Sequence, residues 1–233
     1  MMSTLRRLTF AAPGLMLIAV LTSRSAAYGA QSAAEQARNH VEYFLNNQHG
    51  LNRLSAADRD LLAQMQATPE TYVELIHPTL TLLYSDTVLQ DETVKVHERA
   101  LTLLGTLGGD QARASILQDY HALTARLRVL QGTTGDPAST RLGRIFLSLR
   151  RLALDELGRV GGIEVLGDVL NEVEAADAAT QVVMLRYIAR VGAGNSAALQ
   201  RLYKIRGQPQ SALAKSPALA NTIEQLRNTS KPH

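Results

Sequence analysis

The chain has 233 residues, room for one mid-sized domain or a run of small repeats. Apolar residues make up 45% but aromatics only 4%, with no Trp and no Cys, so the core must be built from Leu, Val, Ile and Ala, without disulfides or a cysteine-linked lipid anchor. The formal charge is +3, yet Arg6, Arg7 and Arg24 precede residue 31 and no acid does, which leaves 21 basic against 21 acidic residues and no support for nucleic-acid binding.

Arg6 and Arg7, the largely apolar run Leu8 to Leu21, and the small residues Ser25-Ala26-Ala27 and Gly29-Ala30 follow the order of a secretory signal peptide. The run has 14 residues, short of the roughly 20 that span a membrane. Residues 1–30 are read as a signal peptide cleaved after Ala27 or Ala30, with an uncleaved anchor as the alternative. Phe10 sits one place too far from Arg6-Arg7 for twin-arginine export. A periplasmic or secreted protein follows, with no transmembrane helix after cleavage.

Residues 31–90 read as a helical N-terminal cap without a clear repeat. Ser32 and Glu35 form a capping box ahead of Ala37, Val41, Phe44 and Leu45, and Gly50 ends that helix. Ser55 to Asp58 starts a short helix with Leu61, Leu62 and Met65. Thr68-Pro69 is an N-cap and first helical position before Tyr72, Leu75 and Ile76, and Pro78 should kink or interrupt that helix.

Three segments in residues 91–209 superpose: Ala100 to Gly109, Ala153 to Gly162, and Met184 to Ala193. Each reads small or apolar, Leu, two variable, apolar, small, variable, apolar, Gly, small. Helical spacing puts Leu101, Leu104 and Leu107 on one stripe, matched by Leu154, Leu157 and Val160 and by Leu185, Ile188 and Val191. Glycines then stop each helix, because Gly tolerates the left-handed position past a helix end. A second helix follows each stop. Asp110 is the expected N-cap before Ile116, Leu117, Tyr120, Leu123 and Leu127. Ile163, Leu166, Val169, Leu170 and Val173 form the next face, and Asn195 or Ser196 caps a helix carrying Leu199, Leu202 and Tyr203. Residues 210–233 hold a last helix from Ser216-Pro217 through Leu219, Ile223 and Leu226, then a frayed tail.

These helix, glycine turn, helix units resemble the HEAT-repeat family of α-solenoids over roughly Asp91 to Gly207. Two features depart from that pattern. The units are spaced 53 and then 31 residues apart, which places an insertion through Leu130 and a loop from Gly132 to Ser139, and no unit has a Pro in its first helix. The fold class is all-α, a short solenoid of helix hairpins, with an irregular helical bundle as the alternative. The resemblance implies second helices along a concave, partner-binding surface.

No zincin, calcium-loop, P-loop or nucleophile-elbow motif is present. His97 and His121 fall in consecutive helices and read as partly exposed, not as metal ligands. The acid pair Asp155-Glu156 reads as a surface ladder with Arg151 and Arg159, each four residues from Asp155, and not as a hydrolytic pair. No cofactor, metal or catalytic residue is assigned. Charge runs along the chain instead. Residues 31–98 hold 4 basic and 10 acidic residues, 99–177 hold 9 and 10, and 178–233 hold 8 and 1. In the basic third, Arg186 with Arg190 and Arg201 with Lys204 form helical pairs that could receive a protein or acidic peptide. The expectation is a non-catalytic, exported protein-binding scaffold. The alternatives are a peripheral envelope protein docking its basic end on anionic lipid or polymer, and an enzyme with dispersed site residues.

Overall fold

The computed structural model describes residues 32–47, 51, 53–85 and 89–229. The expected signal peptide, residues 1–30, the expected helix stop at Gly50 and the end of the expected tail, residues 230–233, lie outside the described residues. Among the described residues the chain is all α-helical with no strand. Its helices are α1 (Ala33–Asn46), α2 (Ala56–Ala67), α3 (Pro69–Ser85), α4 (Asp91–Leu107), α5 (Gly109–Thr134), α6 (Arg141–Arg159), α7 (Leu166–Glu172), α8 (Ala178–Val191), α9 (Ser196–Arg206) and α10 (Pro217–Thr229).

Two compact units divide the chain between Asn39 and His40. The described part of the first is the start of α1, closed by the expected capping box: Ser32 N donates to Glu35 Oε2 at 2.9 Å and Glu35 N to Ser32 Oγ at 3.2 Å. The second unit holds everything that follows.

Within it, Ser55 and Asp58 form a second capping box at α2, and the Tyr43 hydroxyl donates to Asp58 Oδ1 at 2.6 Å. α3 begins at Pro69 as expected, but Pro78 does not interrupt it. Proline removes one backbone donor and faces solvent here. Val73, Ile76, Leu80 and Leu83 stay buried on the opposite face and hold the helix in one piece. Three turns use left-handed glycines, with φ of 72° at Gly108 and 83° at Gly109, 75° at Gly161 and 74° at Gly194. An L side chain is strained at those angles, so left-handed glycines stand where the repeat pattern placed them at Gly108 and Gly161, while in the third unit Gly192 ends the helix at a φ of −84° and the left-handed residue is Gly194, two positions on.

The hairpins stack in two layers, and the cross-contacts give their directions. Arg141 at the start of α6 donates to Leu89 O just before α4, while Glu156 near the end of α6 lies against Gly105 near the end of α4, so the two helices run parallel. Arg151 meets Thr180 and Asp155 meets Arg190, so α6 and α8 are parallel too. Thr222 donates to Leu185 O and Leu226 packs beside Gly192, which aligns α10 with α8. The first layer is therefore α4, α6, α8 and α10. The second helices form the other layer. Pro69 approaches Gly109 and Tyr84 reaches Asp119, making α3 parallel to α5; α7 packs on α9.

Between the layers lie the predicted stripes. Leu101, Leu104, Leu154, Leu157, Leu185 and Ile188 are each 2% exposed or less. Each such side chain contributes about 1.5–3 kcal/mol on burial, gained only when the neighbouring hairpin covers it. The details depart from the expected faces at the helix ends. Val160 and Val191 are only half-buried, since they fall at the last turn. Ile163 is 53% exposed because α7 starts three residues later and the turn does not keep helical phase. On α9 the buried face is Ala198, Leu202 and Ile205; Leu199 is half-buried and Tyr203 exposed. Asp110 does not cap α5. The helix begins one residue earlier, at Gly109, without a side-chain cap, and Asp110 pairs with Arg113 inside its first turn. Asn195 does cap α9, accepting from Ala198 N at 3.0 Å. α5 runs helical through Gly132 to Thr134, where a loop was expected, so the insertion between the first two repeats is mostly helix.

Candidate functional site

The second layer has unequal helices. α5 has 26 residues and α7 has 7. At 1.5 Å per residue they span about 39 Å and about 10 Å. The short α7 leaves the C-terminal half of α5 without a full-length neighbour on that side of its own layer, and a groove of about 560 Å³ opens there. Leu127, Arg128 and Gln131 of α5, Pro137 and Ala138 of the following turn, Leu147 and Arg150 of α6, and Glu172, Ala175 and Asp177 around α7 line it.

The groove's floor is a polar network around Arg150. Its Nε donates to Thr124 Oγ1 at 3.0 Å and its Nη2 to Tyr120 OH at 2.8 Å and to Glu172 Oε2, while the guanidinium lies 5.0 Å from the centre of the Tyr120 ring. This side chain is 15% exposed, so its charge is matched inside the protein by Glu172. At the rim, Arg151 Nη2 donates to both Asp177 oxygens at 2.9 Å and Nε donates to Thr180 Oγ1 at 2.7 Å. Asp177 also caps α8. Its partial burial raises the carboxyl pKa, and the hydrogen bonds from Thr180 and Arg151 outweigh that and lower it.

The expected ladder along α6 is therefore different in fact. Arg151 turns to Asp177, not to Asp155. Asp155 is instead the meeting point of three arginines. Arg190 Nη1 donates to its Oδ1 at 3.0 Å and to its backbone O at 2.9 Å, Arg186 Nη1 donates to Oδ1 at 3.2 Å, and Arg159 Nη2 lies 4.0 Å from Oδ2. Glu156 is not on the surface. It is 1% exposed and sits over Gly105, where a Cβ would lie 1.9 Å from its Oε2. Burial pushes its carboxyl up to about 7, against the pull of Arg159 at 3.2 Å and with Asp155 adding to the rise.

The two predicted basic pairs are on different layers. Arg186 and Arg190 belong to α8 and converge on Asp155. Arg201 belongs to α9, where its Nε donates to Leu170 O at 3.3 Å and its Nη2 lies 3.6 Å from Glu174 Oε2. Lys204 is exposed on the same helix. Spacing along one helix finds each pair but cannot see the acids that meet Arg186, Arg190 and Arg201.

A third polar cluster lies deeper. His97 is 1% exposed, not partly exposed as expected, and its partner is Asp119. His97 Nε2 donates to Asp119 Oδ2 at 3.0 Å and the Tyr84 hydroxyl donates to Oδ1 at 2.6 Å, which ties α3, α4 and α5 together. Burial, and then the Asp119 charge, hold the Tyr84 phenol far above its ordinary value. A cavity of about 70 Å³ adjoins this cluster, lined by His77, Tyr84, Ser115 and Asp119 among others, and His77 Nδ1 is buried without a partner. Among the described residues no three His, Asp or Glu side chains are grouped to hold a metal ion, and no helix is long and apolar enough to cross a membrane. The chain matches no protein-family model, no curated protein and no solved structure.

Proposed function

We propose that this chain is an exported, non-catalytic scaffold of the HEAT-like kind that holds a protein partner in the groove beside α7. The observation that carries the reading is the groove itself, about 560 Å³ opened by a 26-residue helix beside a 7-residue one and lined from several elements. Its ionic groups support binding over catalysis. Arg150 is matched by Glu172 and Arg151 by Asp177, so these side chains are occupied with each other and not poised as base, acid or nucleophile. The mixture of apolar and paired polar side chains suits a protein surface of similar character. Export rests on the arrangement of residues 1–30.

A photo-activated cross-linker at Gln131, on the groove wall, tests the binding reading in the native compartment. One discrete protein adduct is expected, lost when Ala138→Arg fills the groove. If cross-linkers at Gln131 and Arg128 give no adduct while one at exposed Lys204 does, the groove is not the binding surface. N-terminal sequencing of the natural protein tests export: a start at Tyr28 or Gln31 is expected, and a start at Met1 contradicts cleavage.

A further inference from the structure

The arginines that converge on Asp155 are more than that carboxylate needs. Arg159, Arg186 and Arg190 bring three positive charges to Asp155 and Glu156. The cluster keeps a net charge of +1 with both acids ionised, and +2 once Glu156 takes up a proton. It is also reachable from solvent, since the three arginine side chains are 47%, 51% and 34% exposed. Arg186 and Arg190 each use only Nη1 toward Asp155, so most of their donors remain for another acceptor. The fold holds these groups in register. Gly158 lets α8 approach α6 closely, with a Cβ there meeting Tyr187 at 3.1 Å and Arg190 at 3.5 Å. Val182, one turn before Arg186, is 46% exposed and offers an apolar foothold beside the charges.

We propose that Arg159, Arg186 and Arg190 form an anion-binding site for a carboxylate-rich protein segment, with Asp155 occupying the position that an external carboxylate takes, and that Glu156 beneath them sets the strength of binding with pH. The guanidinium forks match carboxylates in two-point geometry, and the internal carboxylate already sits among them. An acidic segment is favoured over a free anion because Val182 gives it something apolar to touch. None of these residues lines the groove, so the site stands or falls independently of the groove reading.

The pH effect follows from what surrounds Glu156. Asp155 and Arg159 act on it from its own helix and Arg190 from α8, while α4 lays the uncharged Gly105 against it. Its carboxyl titrates at about 7. Below that it no longer neutralises Arg159, and the site turns more cationic while a glutamate-rich ligand stays ionised.

Titration calorimetry of the full chain with a hexaglutamate peptide in about 20 mM salt provides the test. Binding is expected to be about fivefold tighter at pH 6 than at pH 8, the effect of one added positive charge near the ligand. Arg186→Gln should weaken it about tenfold, and its exposure makes that variant safe to fold. Glu156→Gln should give the tighter affinity at both pH values, and Lys204→Gln should change nothing. Inorganic phosphate and phosphatidylglycerol vesicles serve as the other arms and are expected to bind more weakly than the peptide. Absence of peptide binding, binding indifferent to Arg186→Gln and Arg159→Gln, or vesicle binding in place of peptide binding overturns the site. A pH response that persists in Glu156→Gln overturns the role of Glu156.

Discussion

The two layers of the second unit are held together differently. In the first layer, α4, α6 and α8 present nearly identical leucine stripes that close against their partners with almost no exposure. In the second, helix lengths run from 17 residues in α3 to 26, 7 and 11, and polar bonds join it both within itself, Tyr84 to Asp119 and Arg201 to Leu170, and to the first layer, Arg150 of α6 to Tyr120 and Glu172. Where the sequence repeats, packing is apolar and regular. Where it departs from the repeat, the layer opens into a groove lined by paired charges, while inside the repeats Asp155, Glu156, Arg186 and Arg190 place charges beside the leucine stripes. Uniform units make a frame, and the irregular units make the surface that differs from one region to the next.

Breaking the regular layer should have the largest effect. Leu104→Asp or Leu157→Asp places an unpaired carboxylate at a position with no exposure. A loss of about 4 kcal/mol or more is expected, seen as cooperative unfolding by circular dichroism and calorimetry. Wild-type helicity and melting temperature in either variant would show that these stripes are not core. Between the layers, Arg150→Ala leaves Tyr120 and Glu172 without their partner and should cost about 3 kcal/mol in chemical denaturation. Arg150→Met, which keeps volume without charge, should cost less only if Glu172→Gln accompanies it.

The contact between Gly105 and Glu156 carries a comparable pH-dependent effect. Glu156 titrates at about 7 in the folded chain against 4.5 for the free group, so the folded state holds a proton that the unfolded state has released across that interval. Its contribution to stability is complete below about pH 4.5 and is lost as pH rises through about 7, on the order of 3 kcal/mol in total. Denaturation midpoints measured from pH 5 to pH 8 should fall with rising pH, and Glu156→Gln should flatten that slope. Gly105→Ala is the smaller perturbation, about 1–2 kcal/mol, because the added methyl group meets a buried carboxyl instead of open space. Glu156→Ala should relieve most of that cost, and additive losses in the double variant would show that the two residues do not touch. Smallest is Arg201→Ala, expected to cost less than about 1 kcal/mol, since its pair with Glu174 is partly solvated.

What could be read in advance follows the same division. Leu101, Leu104, Leu154 and Ile188 were legible because helical spacing and a glycine stop repeat three times, and a repeat needs only local sequence to be recognised. The end of each stripe was not, because Val160, Ile163 and Tyr203 lie where helices begin or stop and phase is lost. The ion pairs were the least legible. Local spacing offered Arg151 a carboxylate four residues away, yet its partner Asp177 is 26 residues on. His97 and Asp119 are 22 apart. Such partners depend on the register of one helix against another, and that register is fixed by apolar packing before any charge is satisfied. The groove had one visible sign, the unequal spacing of the repeats, but spacing alone could not separate a long loop from a long helix beside a short one.

Hydrogen exchange along the free chain tests this two-layer account most directly. Amides of α4, α6 and α8 should exchange slowest and open together. Those of α7 and of the last two turns of α5, from about Arg128 to Thr134, should exchange fastest among the helices of the second unit. Protection of α7 and the end of α5 equal to that of α6 would contradict it, because the groove would then be as firmly packed as the frame.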